Sequence, residues 1–422
     1  MFSSRSTFVN GSSSRLECLK ETVSWAREHS GFYATHLGDV RLDVSDERLL
    51  LDQLPILERT QIQAISRSPE SPLACVDPSA FVRVHHTSGS TGEGSLWVFD
   101  TKDDWDEIVK CWSVALRQFG IQEDDRALVC AGYGRFIGFW GLHDAFVERG
   151  VMTVSGADAD TKARVALIRA LGITVVAMTP TYATRLGAAI ANLDTDVRLI
   201  LTSGEPRPLE TRRRIEDLWG CEAYDTAGMT EMGTISMLEC PAQPGHLHVL
   251  EDVFLEEVLD PVTREPVGYG EIGVRVVTTL ARRGMPFIRY WTNDLVVRDP
   301  AQCECNLGEH VYVGGIRGRL DQMVKIDGVW FLPSMLEAVV RGFDRVLEYR
   351  ATLSDSGANR SVLVVELELD DPRRVSDAFA SEFAAECKRA LGFRPRVDLV
   401  SDLPRFEVKA KRFHDQRASI SA

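Results

Sequence analysis

Apolar positions along this chain keep two rhythms, and the rhythm changes twice. Over Leu16–Leu37 they fall at helical spacing among good helix formers, so a helix is predicted there. Arg83–His86 reads as extended and leads into a Gly/Ser/Thr-rich stretch, Thr87–Ser95. From about residue 102, helical and strand patterns alternate. Asp125–Ala131, Ile173–Thr179 and Val197–Thr202 are short apolar runs that read as buried strands, and Asp160–Leu171 reads as a helix stopped by Gly172. Such alternation predicts a largely parallel α/β sheet.

After about residue 247 the runs shorten, and Val253–Leu259, Gly273–Thr279 and Val311–Val313 predict a smaller β-rich subdomain. The second change comes at Asp321. Met323–Asp327 and Val329–Leu332 form a predicted hairpin around Gly328. A helix (Ser334–Gly342), two strands (Tyr349–Ser354, Ser361–Glu368), a helix (Val375–Leu391) and a strand (Arg396–Leu399) follow. The expected fold class is therefore α/β: a large domain of α/β layers with a β-rich subdomain over 1–320, and a small mobile α+β domain over 321–422. A chain of 422 residues is long enough for this division.

Composition narrows the function classes. Acidic residues outnumber basic ones 62 to 48, which opposes a grip on nucleic-acid phosphates. No apolar run approaches the roughly 18 residues that cross a bilayer, so no membrane partner is expected. The start, MFSSRSTFVNGSSSRLE, lacks the apolar core of a secretory signal and reads as a short mobile tail. Nine cysteines, an odd number, argue against a disulfide framework and for a cytoplasmic location.

Five short motifs carry candidate chemistry. In Thr87-Ser88-Gly89-Ser90-Thr91-Gly92, hydroxyls interleave with glycines, a composition that lets backbone and side-chain donors surround a phosphate. It lacks the Gly-Lys-Ser/Thr of a Walker loop and the Gly-x-Ser-x-Gly of a nucleophile elbow. Asp225-Thr226-Ala227-Gly228-Met229-Thr230-Glu231 ends in a carboxylate that could hold Mg²⁺ beside a nucleotide. Asp294, in Arg289–Asp294, could accept both hydroxyls of a ribose. Gly318–Gly328 lies at the predicted domain boundary, and Pro404–Arg412 is a basic run near the C-terminus. Each alone is as readily a solvated turn or tail.

In this order the motifs resemble those of the adenylate-forming superfamily of acyl-CoA synthetases, luciferases and adenylation domains, and most of all its phenylacetate–CoA ligase branch. The resemblance extends to Leu19–Leu37, Leu51–Gln61, Tyr133–Gly141, Thr179–Tyr182 and Ser203–Pro206. It implies ATP and Mg²⁺ as cofactors, and a carboxylic acid activated as acyl-AMP, then passed to coenzyme A. Thr87–Gly92 matches the loop over the β- and γ-phosphates. Gly204, Glu205 and Pro206 match an adenine wall, with Asp225 and Thr226 beside it. Thr230 matches the α-phosphate contact, Glu231 the Mg²⁺ ligand, and Asp294 with Arg319 the ribose site. Asp321 matches the hinge between domains, Gly328 the loop at the thiol entry, and Lys409 the catalytic lysine. Tyr133, Phe136, Ile137, Phe139, Trp140, Tyr182 and Met229 are the expected acyl pocket, suited to an aromatic or other apolar acid, though about half are expected to be plain core. A homodimer is a further implication.

The chain departs from the family at three places. Glu93-Gly94 follows the phosphate loop where the family usually has proline after a variable residue. Ala227 stands where an aromatic ring stacks on adenine, and Val408 replaces a glycine before the lysine. These departures keep open two other readings: adenylation with delivery to a carrier-protein thiol or an amine, and a non-catalytic nucleotide-binding regulator.

Cys240, Cys303 and Cys305 with a histidine offer three thiols and an imidazole, a set suited to structural Zn²⁺. His248 is preferred to His246 because it fits the family's Leu-His-Val segment; four unliganded side chains are the alternative. Gly268-Tyr269-Gly270-Glu271-Ile272-Gly273 spells a dinucleotide fingerprint, but a strand pattern follows where a helix must start.

Overall fold

The computed structural model describes residues 14–87, 94–134, 137–301, 303–305, 307–326, 328–355, 361–371, 376–404 and 412–417. The first predicted helix is two, Arg15–His29 and Gly31–His36. Ser30 breaks it: its extended backbone leaves the first helix, and its hydroxyl caps the second by accepting from the Tyr33 N–H at 3.2 Å.

An eight-stranded sheet forms the centre. Its spatial order is Val311–Val313, His246–Val249, Thr234–Glu239, Glu222–Met229, Leu199–Ser203, Val175–Met178, Arg126–Val129 and Met152–Ser155. Pairing is parallel from Glu222–Met229 to Met152–Ser155 and antiparallel on the other side. The parallel strands are connected through helices including Thr161–Leu171, Pro180–Ile190 and Leu209–Trp219. Gly172 ends the first of these in the left-handed region at φ 54°. Separate apolar clusters pack on the sheet, one around Trp105, Phe146 and Phe254, the other around Ile168, Tyr182 and Ile215.

A second sheet, all antiparallel, runs Phe254–Leu259, Ile272–Thr279, Tyr290–Val297, Gly318–Arg319. Val311–Val313 was expected here but belongs to the central sheet. Its register with His246–Val249 buries Val311 and Tyr312, a partner the local pattern of three residues cannot specify. The fingerprint-like glycines lead into the strand Ile272–Thr279 and no helix, as the pattern required.

Beyond Asp321 come the hairpin Val324–Ile326/Val329–Phe331, the helices Pro333–Arg341 and Asp377–Leu391, and a four-stranded sheet. These bury their own core around Phe331, Val340, Leu353, Val365 and Phe383. Among the described residues, hydrogen bonds joining this part to the preceding one include Arg214 Nη1 donating to the Asp344 carbonyl at 3.2 Å, Arg412 Nη1 to Thr181 Oγ1 at 3.2 Å, and Ser334 Oγ to the Arg317 carbonyl. Among the described residues no helix is long and apolar enough to cross a membrane.

Candidate active site

Glu222–Met229 is where the central sheet changes from parallel to antiparallel. In open α/β sheets ligands bind in the crevice outside the carboxyl ends of the parallel strands, and this strand is the last of the parallel set. The ends of three strands carry residues singled out from the sequence. Gly204, left-handed at φ +89°, turns the chain away from Leu199–Ser203. Glu205 Oε2 then accepts from the Thr181 N–H at 3.0 Å, tying this segment to the first turn of Pro180–Ile190.

Asp225 is buried beside it. Thr202 Oγ1 donates to its Oδ1 at 2.6 Å, and Arg207 Nε lies 3.7 Å from Oδ2. Burial pushes the carboxyl up to about 7, and the Arg207 charge and the Thr202 bond only partly oppose this. Buried Glu239 fixes the frame: it accepts from Arg207, from Arg212 Nη1 at 2.9 Å and from the Asp225 N–H at 2.8 Å. Thr226 is bound through Oγ1 to the Thr202 carbonyl at 3.2 Å. At Gly228 a Cβ would lie 2.2 Å from the Thr234 carbonyl oxygen, so the close pairing after the bulge at Ala227 excludes any side chain.

Thr230 and Glu231 sit buried in the 3₁₀ turn Thr230–Met232 that ends this strand. Glu231 Oε1 accepts from Arg59 Nη1 and from the Tyr290 hydroxyl, each at 3.1 Å. Arg59 Nη2 also donates to Thr87 Oγ1 at 2.8 Å and to the Gly94 carbonyl at 3.3 Å. Sequence reasoning missed Arg59 and Tyr290. Only their places in the quoted runs Leu51–Gln61 and Arg289–Asp294 could have pointed to them. Ser88, Gly89, Ser90, Thr91 and Gly92, with Glu93, lie outside the described residues, as do Phe136, Val408 and Lys409.

Asp294 is reached from the second sheet. Its strand has a left-handed Asn293 at φ 65° and a register shift on the partner strand between Val274 and Val276. Burial raises its carboxyl, against the pull of Arg319 and Arg275, whose Nη1 atoms lie 3.5 and 3.7 Å from its oxygens. Arg319 also grips Asp321 in a fork, Nε to Oδ1 at 3.0 Å and Nη2 to Oδ2 at 2.7 Å. The expected ribose ligand and the expected hinge residue are thus joined through one guanidinium. Gly328 lies at the turn of its hairpin, left-handed at φ +87° and exposed.

The expected acyl-pocket residues divide. Tyr133 and Trp140 meet edge to face at 5.1 Å, and Trp140 bonds the Gly134 carbonyl at 3.2 Å. Tyr133, Trp140 and Met229 line one edge of the first apolar cluster, in which Ile137 and Phe139 are buried. Tyr182 is not brought to them: it is buried in the other cluster, under the Arg164 guanidinium at 4.6 Å, its hydroxyl 3.2 Å from Thr161 Oγ1.

Cys240, His248, Cys303 and Cys305 converge, one ligand atom from each lying within 4.8 Å of the others. Cys240 Sγ is 3.6 Å from Cys303 Sγ and 3.3 Å from His248 Nε2, and Cys305 Sγ is 3.6 Å from the same nitrogen. A tetrahedron on Zn–S and Zn–N bonds of ordinary length has edges of about 3.8 Å (S to S) and about 3.5 Å (S to N). These three edges are close to those of such a tetrahedron. His246 turns away to Asp299, 3.5 Å distant, and His310 to Glu251 at 3.2 Å.

Known proteins agree with this architecture. Residues 29–278 match the model of the AMP-binding enzyme family, and residues 328–417 that of the AMP-binding enzyme C-terminal domain. The phenylacetate-coenzyme A ligase of Thermus thermophilus is 29% identical over 90% of this chain and 87% of its own length. That of Pseudomonas putida is 31% identical over 80% of this chain and 78% of its own. Among solved structures, 2-hydroxyisobutyryl-CoA ligase in its postadenylation state with R3-HIB-AMP superposes with a TM-score of 0.87 at 23% identity, covering 95% of this chain and 89% of that one. The same ligase with 2-HIB-AMP and CoA in its thioesterification state gives 0.69 at 24% identity, covering 96% and 89%.

Proposed function

Because the chain belongs to the AMP-binding enzyme family, we propose that it is an AMP-forming acid–CoA ligase that activates an aromatic or arylalkanoic acid and passes it to coenzyme A. The observation that carries this reading is the gathering of Gly204–Pro206, Asp225, Thr230 and Glu231 on and just beyond two adjoining strands, with Asp294 of the second sheet near enough for the Glu231 charge to act on it. The relatives that match most of the chain are phenylacetate–CoA ligases, which supports an aryl acid.

In the first step a carboxylate oxygen of the acid attacks the α-phosphorus of ATP, the bond to the β-phosphate breaks, and pyrophosphate leaves. In the second, the thiol sulfur attacks the acyl carbon, loses its proton, and AMP departs. Thr230 would hold the α-phosphate and Asp294 the ribose diol, while the Gly204–Pro206 segment would wall the adenine. Glu231 would hold Mg²⁺, which supplies positive charge against the crowded phosphates. Lys409 would add a second, mobile cation.

Residues after Asp321 are proposed to act as a lid that changes orientation between the two steps, turning at the Arg319–Asp321 fork and bringing Gly328 to the thiol entry. Arg412 on Thr181 and Arg214 on Asp344 would hold the adenylating arrangement, in keeping with the higher similarity to the postadenylation form of the hydroxyisobutyryl ligase. Acid-dependent release of AMP and pyrophosphate from ATP, across a panel of aryl acids with and without CoA and with products weighed by mass spectrometry, tests the whole reading. Acyl-AMP without a thioester would move the acceptor to a carrier protein or an amine. Silence across the panel would sink it.

Two predictions follow from side-chain environments. Asp225 would accept from the adenine amine more strongly when ionised than when neutral, and burial pushes its carboxyl up to about 7. Nucleotide affinity should therefore rise with pH between about 6 and about 8, and Asp225→Asn should flatten the profile in a titration with AMP. For stability the sign is opposite: with the folded value above the ordinary 3.8, the contribution of Asp225 is lost as pH rises from about 4 to about 7.

The Cys/His set is proposed to hold one structural Zn²⁺. Protein purified without chelator should carry about one zinc per chain, and Cys240→Ser should bind less than about a tenth of that and melt several degrees lower. Elemental analysis finding no zinc in the parent protein would refute the site.

A further inference from the structure

Arg59 opens the short helix Arg59–Ile62, whose first turn is held by a capping box between Glu58 and Gln61. Its guanidinium donates to four groups: within its own helix turn Gln63 Oε1 at 3.4 Å, then Glu231 at 3.1 Å, the Thr87 hydroxyl at 2.8 Å and the Gly94 carbonyl at 3.3 Å. Gln63, one turn later, repeats the last contact, its Nε2 donating to the Gly94 carbonyl at 2.8 Å. Thr87 and Gly94 flank segment 88–93, the stretch whose Ser, Thr and Gly content suits phosphate oxygens. One cation therefore joins both ends of that segment to the acidic side chain of the adjoining strand end.

The electrostatics of this junction are specific. Glu231 is a buried carboxylate, its side chain 5% exposed, and a phosphate chain arriving beside it would meet like charge. The Arg59 side chain is itself only 20% exposed, so its charge is poorly screened. A guanidinium presents a planar fork that pairs with two oxygens of a phosphate, and such pairs are stronger than its bonds here to a hydroxyl and a carbonyl.

We propose that Arg59 is a ligand of the β- and γ-phosphates of ATP, and so of the pyrophosphate that leaves, and that without nucleotide it neutralises Glu231 and pins the two ends of the loop. This rests on the adenylation reading and adds to it a nucleotide ligand from a separate element. The α-phosphate, ribose and base are held by other residues, so the effect of Arg59 should be confined to the outer phosphates.

The test compares ATP with AMP. Calorimetric titration of Arg59→Ala and Arg59→Lys, with Mg²⁺ and again in chelator, should show ATP binding weakened about tenfold or more by Ala and less by Lys, with AMP binding within about twofold of the parent. The KM for pyrophosphate in the reverse reaction should rise, while thioester formation from supplied acyl-AMP is unchanged. An unchanged ratio of ATP to AMP affinity in both variants, whether neither nucleotide is affected or both weaken equally, would overturn the assignment. Failure of the parent protein to bind either nucleotide would instead remove the adenylation reading itself, so the two failures are distinguishable.

Discussion

Lys409→Ala is expected to lower acyl-adenylate formation by about a thousandfold while leaving thioester formation from supplied acyl-adenylate within about twofold of the parent. Adenylation brings a carboxylate against a phosphate, and removing one preorganised donor from developing charge costs about a hundred- to a thousandfold. The second step sheds AMP and needs no cation at that point. Lys409 lies outside the described residues, but Arg412, three positions further on, is fixed. Its Nε donates to Glu348 Oε1 at 2.6 Å, its Nη1 is 3.6 Å from Glu337 Oε2, and it reaches Thr181 beside the proposed adenine wall. Arg412, at the end of the basic run, is therefore anchored beside the proposed adenine wall. Pyrophosphate–ATP exchange measures the first step and mass-resolved thioester formation the second; equal losses in both would refute the assignment.

Glu231→Gln is expected to cut pyrophosphate release by about a hundredfold or more and to raise the Mg²⁺ concentration for half-activation by about tenfold. Both bonds seen to Glu231 land on Oε1, from Arg59 and Tyr290. A glutamine oxygen can accept both, so the fold should be kept, with a melting temperature within about 2 °C of the parent. What is lost is charge, which a divalent cation requires. An unchanged Mg²⁺ dependence would remove Glu231 as the metal's ligand. Combined with Arg59→Ala the effects should be less than additive, because the two side chains touch.

The parts of the fold that were legible from sequence are those where burial writes a simple pattern. Ile173–Thr179 and Val197–Thr202 appear as apolar runs because their strands are parallel and covered on both faces; the first holds Val175–Met178 and the second all but the last residue of Leu199–Ser203. Glu222–Met229 did not read as a strand, because Asp225 and Thr226 interrupt the apolar run at the candidate site. Nor could the sequence show how buried Glu239 is tolerated: Arg207 and Arg212, 32 and 27 residues away, are matched to it only by the fold. The same limit hid Arg59, which meets Glu231 across 172 positions. Motif order located most of the proposed nucleotide ligands, several of which, such as Gly204 and Thr230, follow directly on the end of a strand. Tyr182 shows the reverse: an aromatic in a pocket-like motif can face either side of a sheet, and here it went to the core.

The Cys/His cluster has a topological consequence. Cys240 and Cys303 are 63 positions apart, and the chain between them contains the three long strands of the second sheet, including the one that carries Asp294. A metal ion joining them closes that whole stretch into a ring. A cross-link around a loop of this size removes roughly 4 kcal/mol of chain entropy from the unfolded ensemble, which is what a disulfide does in secreted proteins. Thiolates around zinc achieve the closure under reducing conditions, where a disulfide would be cleaved. If the set holds zinc, the ring would also make the stability of the second sheet follow zinc supply, so that cells short of the metal would lose this sheet's order before the parallel half of the central sheet is affected.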